Sequence, residues 1–167
     1  MDKKNGEWNV IDGGIIKTKP EHKKRNIYKS NDDARRIRMI FKVLAKIVKD
    51  NNIEVAVSES PSGGGKSASA VKGMAFATAI VACLAESEQL AMVFVTARQS
   101  KLASCNKANA SKTEMQHAVA KRFPEFAKQY ESKKSASGYK GDFEDIADSI
   151  CAVLTAEDEP AVVMASK

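Results

Sequence analysis

The 167-residue sequence predicts an α/β domain in which a mixed β-sheet is flanked by helices. Two β-branched apolar runs, over 53–58 and Ala91–Thr96, have the pattern of buried strands. The alanine-rich segment 67–86 between them predicts a helix, and this order predicts a right-handed parallel crossover. Amphipathic patterns over 32–50 and 142–157 add two helices whose apolar faces can cover such a sheet.

The first elements along the chain are a tight turn and a strand pattern. Asn5-Gly6 is a strong hairpin-turn signal because both residue types tolerate positive φ. The pattern over 8–11, continued by 15–16 after a glycine pair, predicts one strand following this turn. No strand pattern precedes the turn, so the sequence predicts a sheet that is incomplete at its N-terminal side.

The helix predicted over 32–50 has two chemically different faces. Apolar residues recur at helical spacing over 37–48. Asp32 and Asp33 lie in the first turn, where carboxylates complement the helix dipole. The opposite face is basic and carries Arg35, Arg36, Arg38, Lys42, Lys46 and Lys49. This face either extends a polyanion-binding surface or only faces solvent.

The second half of the chain alternates helices with polar connections. The segment 112–123 is predicted to be helical up to the proline that follows it. The connection 97–111 is polar and basic, and 128–141 is expected to be mobile because it is rich in Ser, Lys and Gly. The predicted organisation is one domain over 1–157 followed by a flexible C-terminal tail over 158–167.

Composition favours a soluble protein of a reducing compartment. Apolar residues make up 43% of the chain and charged residues 29%. No apolar run approaches the roughly 18 residues of a membrane span, and the lysine-rich start lacks the apolar core of a signal peptide. Three widely spaced cysteines and two histidines predict reduced thiols and no zinc cluster. We therefore expect a cytoplasmic protein without a membrane partner.

The net charge of +6 is unevenly distributed along the chain. Residues 1–50 carry 14 Lys or Arg against 7 acids, and residues 98–140 carry 10 against 3. The segment 141–167 reverses this balance, with 1 Lys against 7 acids. Two basic regions and one acidic cluster predict a polyanion-binding surface with a cation-binding pocket. The alternative is a charged coat that only maintains solubility.

A glycine-rich loop follows the first apolar strand. Gly65-Lys66-Ser67 after a strand and before a helix resembles the end of a phosphate-binding loop. The full pattern requires glycine where this chain has Ser60, and the strand Ala91–Thr96 holds no acid for magnesium. Nucleotide hydrolysis is therefore the weaker interpretation, and a flexible connector with an exposed lysine is the simpler one. We expect no nucleotide cofactor.

Three carboxylates form the most informative pattern. Glu59 follows the first apolar strand, while Asp145 and Asp148 are three residues apart and share one face of the last predicted helix. Acids in a first turn can simply complement the helix dipole, but Asp148 lies further in, among apolar residues. Like charges held close together are commonly compensated by a divalent cation, and Mg²⁺ prefers oxygen ligands. Glu59, Asp145 and Asp148 therefore predict a magnesium site.

Basic residues follow the second strand. Arg98 and Lys101 come directly after it, and Lys112 begins the next predicted helix. Cations in these positions could neutralise phosphates or stabilise charge that develops in a transition state. His117 on the same helix is either a catalytic residue or a structural or surface residue, and the latter is the commoner role for a single histidine.

Taken in order, these motifs resemble those of RuvC-type Holliday junction resolvases, of the ribonuclease H and retroviral integrase superfamily. The resemblance covers about residues 8–155 and implies a ribonuclease H-like fold. The loop pattern Glu59-x-Pro61-x-Gly63 is similar to phage and viral members. The matching motifs are the strand ending in Glu59, the glycine loop, the alanine-rich helix, the second strand, Arg98-Gln99-x-Lys101, Ser111-Lys112-x-x-x-Gln116-His117 and Asp145-x-x-Asp148.

The resemblance implies a metal-dependent endonuclease that acts as a homodimer on four-way or branched DNA. Glu59, Asp145 and Asp148 match three of the family's four carboxylates for Mg²⁺ or Mn²⁺, with two metals per site about 4 Å apart. Lys101 and Lys112 match basic residues near the scissile phosphate. The further residues expected to contact DNA are Arg98 and the loop residue Lys66. The expected location is the cytoplasm of a bacterium or of a phage-infected host.

The sequence also departs from the family pattern. The family's first two strands, and the aspartate on the first of them, have no counterpart here, since 1–6 matches the turn and 8–18 the third strand. The loop after Glu59 lacks the aromatic wedge of the cellular enzymes. These departures predict a truncated or mis-started chain. They leave a second hypothesis open, a junction-binding protein that is catalytically incomplete.

Overall fold

The computed structural model of the chain describes residues 1–4, 6–21, 26–60, 67–131, 134–135, 138–139 and 141–165. Its described elements belong to an α/β fold that is mostly helical. In chain order they are β1 (Asp2–Lys4), β2 (Glu7–Asn9), α1 (Lys29–Asp50), β3 (Val55–Ser60), α2 (Ala68–Glu88), β4 (Ala91–Thr96), α3 (Ala97–Cys105), α4 (Lys112–Arg122), α5 (Pro124–Lys128), β5 (Lys134–Ser135), β6 (Gly138–Tyr139), α6 (Phe143–Thr155) and α7 (Pro160–Ala165).

The contacts divide the chain into two compact units, where the sequence predicts one domain. The first unit comprises Met1–Ile15, Val57–Ser62 and Val93–Lys167, and the second comprises Ile16–Ala56 and Gly63–Met92. Strands β3 and β4 each begin in the second unit and end in the first. The first unit therefore contains Glu59 and the helices α3, α4 and α6, which carry the other described residues that are predicted to form the site.

Strands β3 and β4 are hydrogen-bonded neighbours joined by helix α2. The N–H of Ala91, which opens β4, donates to the carbonyl of Glu54, just before β3, over 3.0 Å. The two strands therefore start at the same end and run parallel, which confirms the predicted crossover pairing. Strand β4 has the predicted bounds. Strand β3 lies further along the chain than predicted, so Glu59 is inside the strand rather than beyond its end.

A strand does precede the first turn, contrary to the prediction. β1 pairs antiparallel with β2, with Lys4 opposite Glu7 and Asp2 opposite Asn9. Gly6 has φ of 81°, as a tight hairpin turn requires, whereas Asn5 lies outside the described residues. The sequence pattern missed β1 because its three residues are charged and pair through the backbone. Likewise, the strand predicted to continue to residue 16 ends at Asn9.

The core of the first unit surrounds Phe143, at the start of α6. This side chain is 0% exposed, and its ring centroid lies 4.3 Å from that of Tyr139 and 4.9 Å from that of Tyr130. Gly13 passes close to the same core, where a Cβ would come within 2.8 Å of the Phe126 ring. The other buried members are Ala110, Met115, Val119, Phe123, Ala127, Ile146, Ala147, Ile150, Cys151 and Leu154.

Helix α3 occupies a stretch that the sequence analysis described only as polar and basic. Thr96 caps this helix by accepting a hydrogen bond from the Gln99 N–H, and the Gln99 side chain accepts in return from the Thr96 N–H. Ser111 and Glu114 form the same reciprocal capping box at the start of α4. Two satisfied donors at each start stabilise short helices whose periodicity alone is weak. The predicted helix at 112–123 is confirmed as Lys112–Arg122.

Two segments predicted to be mobile or frayed contain regular structure. Within 128–141, β5 and β6 pair antiparallel with Ser135 opposite Gly138. Within the predicted tail 158–167, residues Pro160–Ala165 form helix α7, and Val162 is buried. The sequence could not show the order of the β5–β6 hairpin, because a contact that holds it comes from Gln116, 23 positions before Tyr139.

The side chain of Gln116 anchors the β5–β6 hairpin to helix α4. Gln116 is buried, and its carbonyl oxygen accepts from the backbone N–H of Tyr139 over 2.9 Å. Its amide nitrogen donates to the backbone carbonyl of Tyr139 over 3.3 Å. The glutamine amide therefore pairs with Tyr139 as a neighbouring strand would. This pairing holds the Tyr139 ring against Phe143.

Replacing Gln116 by leucine is expected to lower the free energy of unfolding by about 1–3 kcal/mol, because a buried N–H and a buried carbonyl lose their partners. Urea denaturation of the variant measures this change. Gln129→Leu is the matched control, since Gln129 is exposed. Equal stability of the two variants would show that the Gln116–Tyr139 pairing contributes nothing beyond packing.

In the second unit, most basic residues on helix α1 have acidic partners. The Asp32 side chain is 1% exposed and accepts from Arg35 Nη2 over 2.7 Å and from the backbone N–H of Glu21 over 2.9 Å. Arg35 also donates to the Lys19 carbonyl. This clamp fixes the chain that precedes the helix. The further ion pairs are Arg36–Asp33, Lys46–Asp50, Lys49–Glu88 and Lys72–Asp33.

Helix α2 begins at the Ser67 cap, which accepts from the N–H of Ala70. It has 21 residues, and its most apolar stretch of 18 residues has a mean hydropathy of 1.7 and is 17% buried. By length and composition alone it is long enough and apolar enough to cross a membrane, whereas the sequence analysis found no such run. This stretch escaped the sequence analysis because many of its apolar residues are alanines and polar residues interrupt them. One such helix is a weak indication, since core helices of soluble proteins pass the same test.

Candidate active site

Glu59 is the fifth of the six residues of strand β3. The pKa of its carboxyl is raised, first by desolvation and then by the nearby charge of Asp148. Lys101 and Lys112 act in the opposite direction, because positive charges favour the ionised carboxylate. Glu59 therefore lies within electrostatic reach of Lys101 on α3, Lys112 on α4 and Asp148 on α6.

Asp148 is the second carboxylate of the site. It is half-buried on α6, and burial is the largest cause of the increase in its pKa. Lys112 lowers this pKa, whereas Glu144 and Asp145 raise it. A negatively charged cluster on one helix face, partly removed from water, disfavours full ionisation unless a cation is close. This is the electrostatic setting that a divalent cation or a protonated carboxyl would relieve.

Two lysines lie beside these carboxylates. Lys101 is in the second turn of α3, and its charge lowers the pKa values of both Glu59 and Asp148. Lys112 is the first residue of α4, directly after the Ser111 cap, and its Nζ forms an ion pair with Glu144. The hydrogen bond to Glu144 is the main cause that raises the Lys112 pKa. The capping boxes fix the starts of the two helices and thereby the positions of both lysines.

Other predicted site residues are less closely engaged or lie outside the described part of the chain. Asp145 is exposed on α6, one turn before Asp148. Arg98 is exposed on the first turn of α3, and His117 is exposed on α4, which favours its surface interpretation. Lys66 and the glycine loop over 61–66 lie outside the described residues. Of the predicted phosphate-loop motif, only Ser67 is described, and it caps helix α2.

The described carboxylates do not converge on a common metal position. Among the residues that the structure describes, no group of three or more His, Cys, Asp or Glu side chains is placed to hold a metal ion. The donor set is nevertheless all oxygen, and Asp148 raises the pKa of Glu59, as expected for two carboxylates that could share a cation. The residues thus fit Mg²⁺ or Mn²⁺ in chemistry. The predicted metal site at Glu59, Asp145 and Asp148 stays a prediction.

Sequence reasoning missed three features of the site. Glu144, in the first turn of α6, is the partner of Lys112. Ser100 is 0% exposed, and its Oγ has no hydrogen-bond partner among the described residues. Cys151 is also buried, and burial raises its pKa to about 11, which makes the thiol unreactive. The spacing Ser100-x-x-x-Ser104 was the available signal for close helix packing.

Comparison with known proteins identifies the fold. No protein-family model matches the chain, and no curated protein matches it by sequence. Among solved structures it is similar to T. thermophilus RuvC in complex with a Holliday junction substrate, with a TM-score of 0.69 and 16% sequence identity. The similarity covers 100% of this chain and 87% of that chain. The chain therefore has a RuvC-like, ribonuclease H-like α/β fold, as the sequence motifs predicted.

Proposed function

We propose that the chain is a structure-selective, metal-dependent endonuclease that cuts four-way or branched DNA junctions. The observation that carries this proposal is the electrostatic cluster of Glu59 and Asp148 with Lys101 and Lys112. Carboxylates beside lysines suit a site that must hold both a cation and a phosphate. The similarity in fold to a protein bound to a Holliday junction supports the choice of substrate.

Each residue has a distinct role in this proposal. Glu59, Asp145 and Asp148 would hold Mg²⁺ or Mn²⁺, which supplies activation of water and stabilisation of the leaving oxygen, with two ions expected per site. Lys101 and Lys112 bind the scissile phosphate and keep it against the carboxylates. Without a cation, the phosphate and the carboxylates repel each other, so the lysines alone favour binding and not cleavage.

Further parts of the proposal concern DNA contacts and assembly. Arg98, exposed on α3, and Lys66 would contact DNA outside the cleavage site. A homodimer would present two equivalent sites to the symmetry-related strands of a four-way junction. A cytoplasmic location and a phage or viral origin, the latter suggested by Glu59-x-Pro61-x-Gly63, complete the proposal.

A second candidate function is junction binding without cleavage. It is favoured by one specific observation, the lack of three convergent metal ligands among the described residues. In this case Lys101 and Lys112 would still bind phosphate, and the carboxylates would limit how closely the DNA backbone approaches. The two functions differ in a single measurable step.

A synthetic four-way junction, compared with a linear duplex of the same sequence, separates the two candidates. We expect symmetric nicks in the junction with Mg²⁺ or Mn²⁺, no nicks with EDTA, and junction binding at least about tenfold tighter than duplex binding, or about 1.4 kcal/mol. Tight junction binding without nicks under all conditions would support the binding protein. Equal affinity for junction and duplex, with no nicks, would contradict both.

A further inference from the structure

The ion pair between Lys112 and Glu144 joins helices α4 and α6 at the edge of the candidate site. The two residues are 32 positions apart in the chain, so only the packing of these helices brings them together. The Lys112 side chain is 64% exposed and that of Glu144 is 38% exposed. An ion pair in this position is accessible to DNA, and exposed ion pairs exchange their partners readily.

Lys112 is also one of the two cations that the proposed function assigns to the scissile phosphate. A lysine ammonium is a compact charge with three donors, and Glu144 occupies one of them. A phosphate that approaches Lys112 competes with the adjacent Glu144 carboxylate for the ammonium. It must therefore either displace that carboxylate or bear the repulsion from it.

We propose that Glu144 is a positioning residue. In the free protein its carboxylate pairs with Lys112 as a DNA phosphate would, and it releases Lys112 when DNA binds. This inference rests on the proposed function and adds a consequence to it. Glu144 orients the lysine towards α6 in the free protein, but weakens DNA binding, because one ion pair must be broken for each one formed. It also reduces the salt dependence of binding, since the released carboxylate recruits a cation when the phosphate loses one.

A double-mutant cycle on Lys112 and Glu144 tests the inference. The affinities of the wild-type chain, E144Q, K112A and the double variant for a four-way junction and a linear duplex are measured from about 50 to about 200 mM salt. We expect E144Q to tighten binding about two- to fivefold and to steepen the slope of log K against log salt by up to about 0.9. In the K112A background, the same Glu144→Gln change is expected to have a clearly smaller effect, because only the repulsion between the carboxylate and DNA is then removed.

Glu125→Gln is the matched charge control. Glu125 pairs with Lys128 over 2.6 Å on helix α5, so this variant also removes one negative charge and frees one lysine. It is expected to change affinity and salt slope less than E144Q does. If Glu144 had only a structural role, E144Q would alter thermal stability but not the slope of log K against log salt. The double-mutant cycle would then show no coupling between Glu144 and Lys112 in DNA affinity.

Three outcomes would overturn the inference. One is that E144Q tightens binding equally with and without Lys112, which would indicate only a change in net charge. Another is that E144Q abolishes nicking at unchanged affinity, which would make Glu144 a metal ligand. The third is that no variant binds DNA. The proposed function fails if the wild-type chain neither prefers junctions nor cuts them. This failure is distinguishable from failure of the inference, because the double-mutant cycle can still be measured on duplex DNA.

Discussion

Replacing Glu59 by glutamine is expected to reduce metal-dependent nicking of a four-way junction by at least about 10²-fold, or about 2.7 kcal/mol in activation free energy. Glutamine keeps the shape of the side chain but cannot supply the negative charge that a divalent cation requires. The affinity for the junction in EDTA should not fall, since removing a carboxylate near DNA removes repulsion. Single-turnover cleavage of a labelled junction and a binding titration measure the two quantities.

The same substitution has an opposite expected effect on stability in the absence of metal. The Glu59 pKa is raised in the folded chain, so above its unfolded pKa the ionised carboxyl disfavours folding, and this cost grows as pH rises through the folded pKa. Glu59→Gln should therefore be more stable than wild type at pH 7 in EDTA, and equal to it below about pH 4. Thermal unfolding at the two pH values checks the sign.

Glu54→Gln provides the control for both measurements, because Glu54 precedes the same strand and belongs to the second unit. Nicking that survives Glu59→Gln would exclude Glu59 as a metal ligand. A Glu59→Gln chain that is less stable than wild type at pH 7 would show that the carboxylate already has a stabilising partner in the metal-free state.

Replacing Phe143 by alanine is expected to lower the free energy of unfolding by about 3–5 kcal/mol. The ring is 0% exposed and contacts Tyr130 and Tyr139 in tilted geometry, so its loss removes both buried area and aromatic pairs. A cavity would open at the start of α6, the helix that carries Asp145 and Asp148. Urea denaturation measures the change in stability.

Phe94→Ala is the matched control, because Phe94 lies on β4 and is 47% exposed. It should lose less than about 1 kcal/mol, since much of its ring already faces solvent. If Phe143→Ala were as mild as Phe94→Ala, the cluster of Tyr130, Tyr139 and Phe143 would not be the centre of the core in solution.

The parts of the fold that the sequence predicted are those with local signals. Strand β4 was predicted with its observed bounds because five of its six residues are apolar and two of them are valines. Helix α6 was predicted from the regular spacing of Phe143, Ile146 and Ile150, all of which are buried. Strand β1 was missed because charged residues pair there through the backbone, and the β5–β6 hairpin because Gln116 holds it from 23 residues away.

Four of the predicted site residues lie within electrostatic reach of one another, but their individual ion pairs could not be predicted from the sequence. In this kind of fold the carboxyl ends of the strands, and the helices that follow them, meet at one edge of the sheet. This rule allowed the sequence analysis to group Glu59, Asp148, Lys101 and Lys112. The pairing of Lys112 with Glu144 depends on how α4 packs against α6, and no sequence pattern records that geometry. Lys66 stands outside the described residues, so its role rests on the sequence alone.

The clamp between Arg35 and Asp32 has a practical consequence for mapping DNA contacts by mutagenesis. An alanine scan of basic residues would include Arg35, because it belongs to the basic face of α1. Removing it would leave the carboxylate of Asp32 buried without its guanidinium partner, and a broken buried pair is strongly destabilising. A loss of DNA binding in such a protein would be a false positive, since it would report unfolding around α1 and not a missing contact.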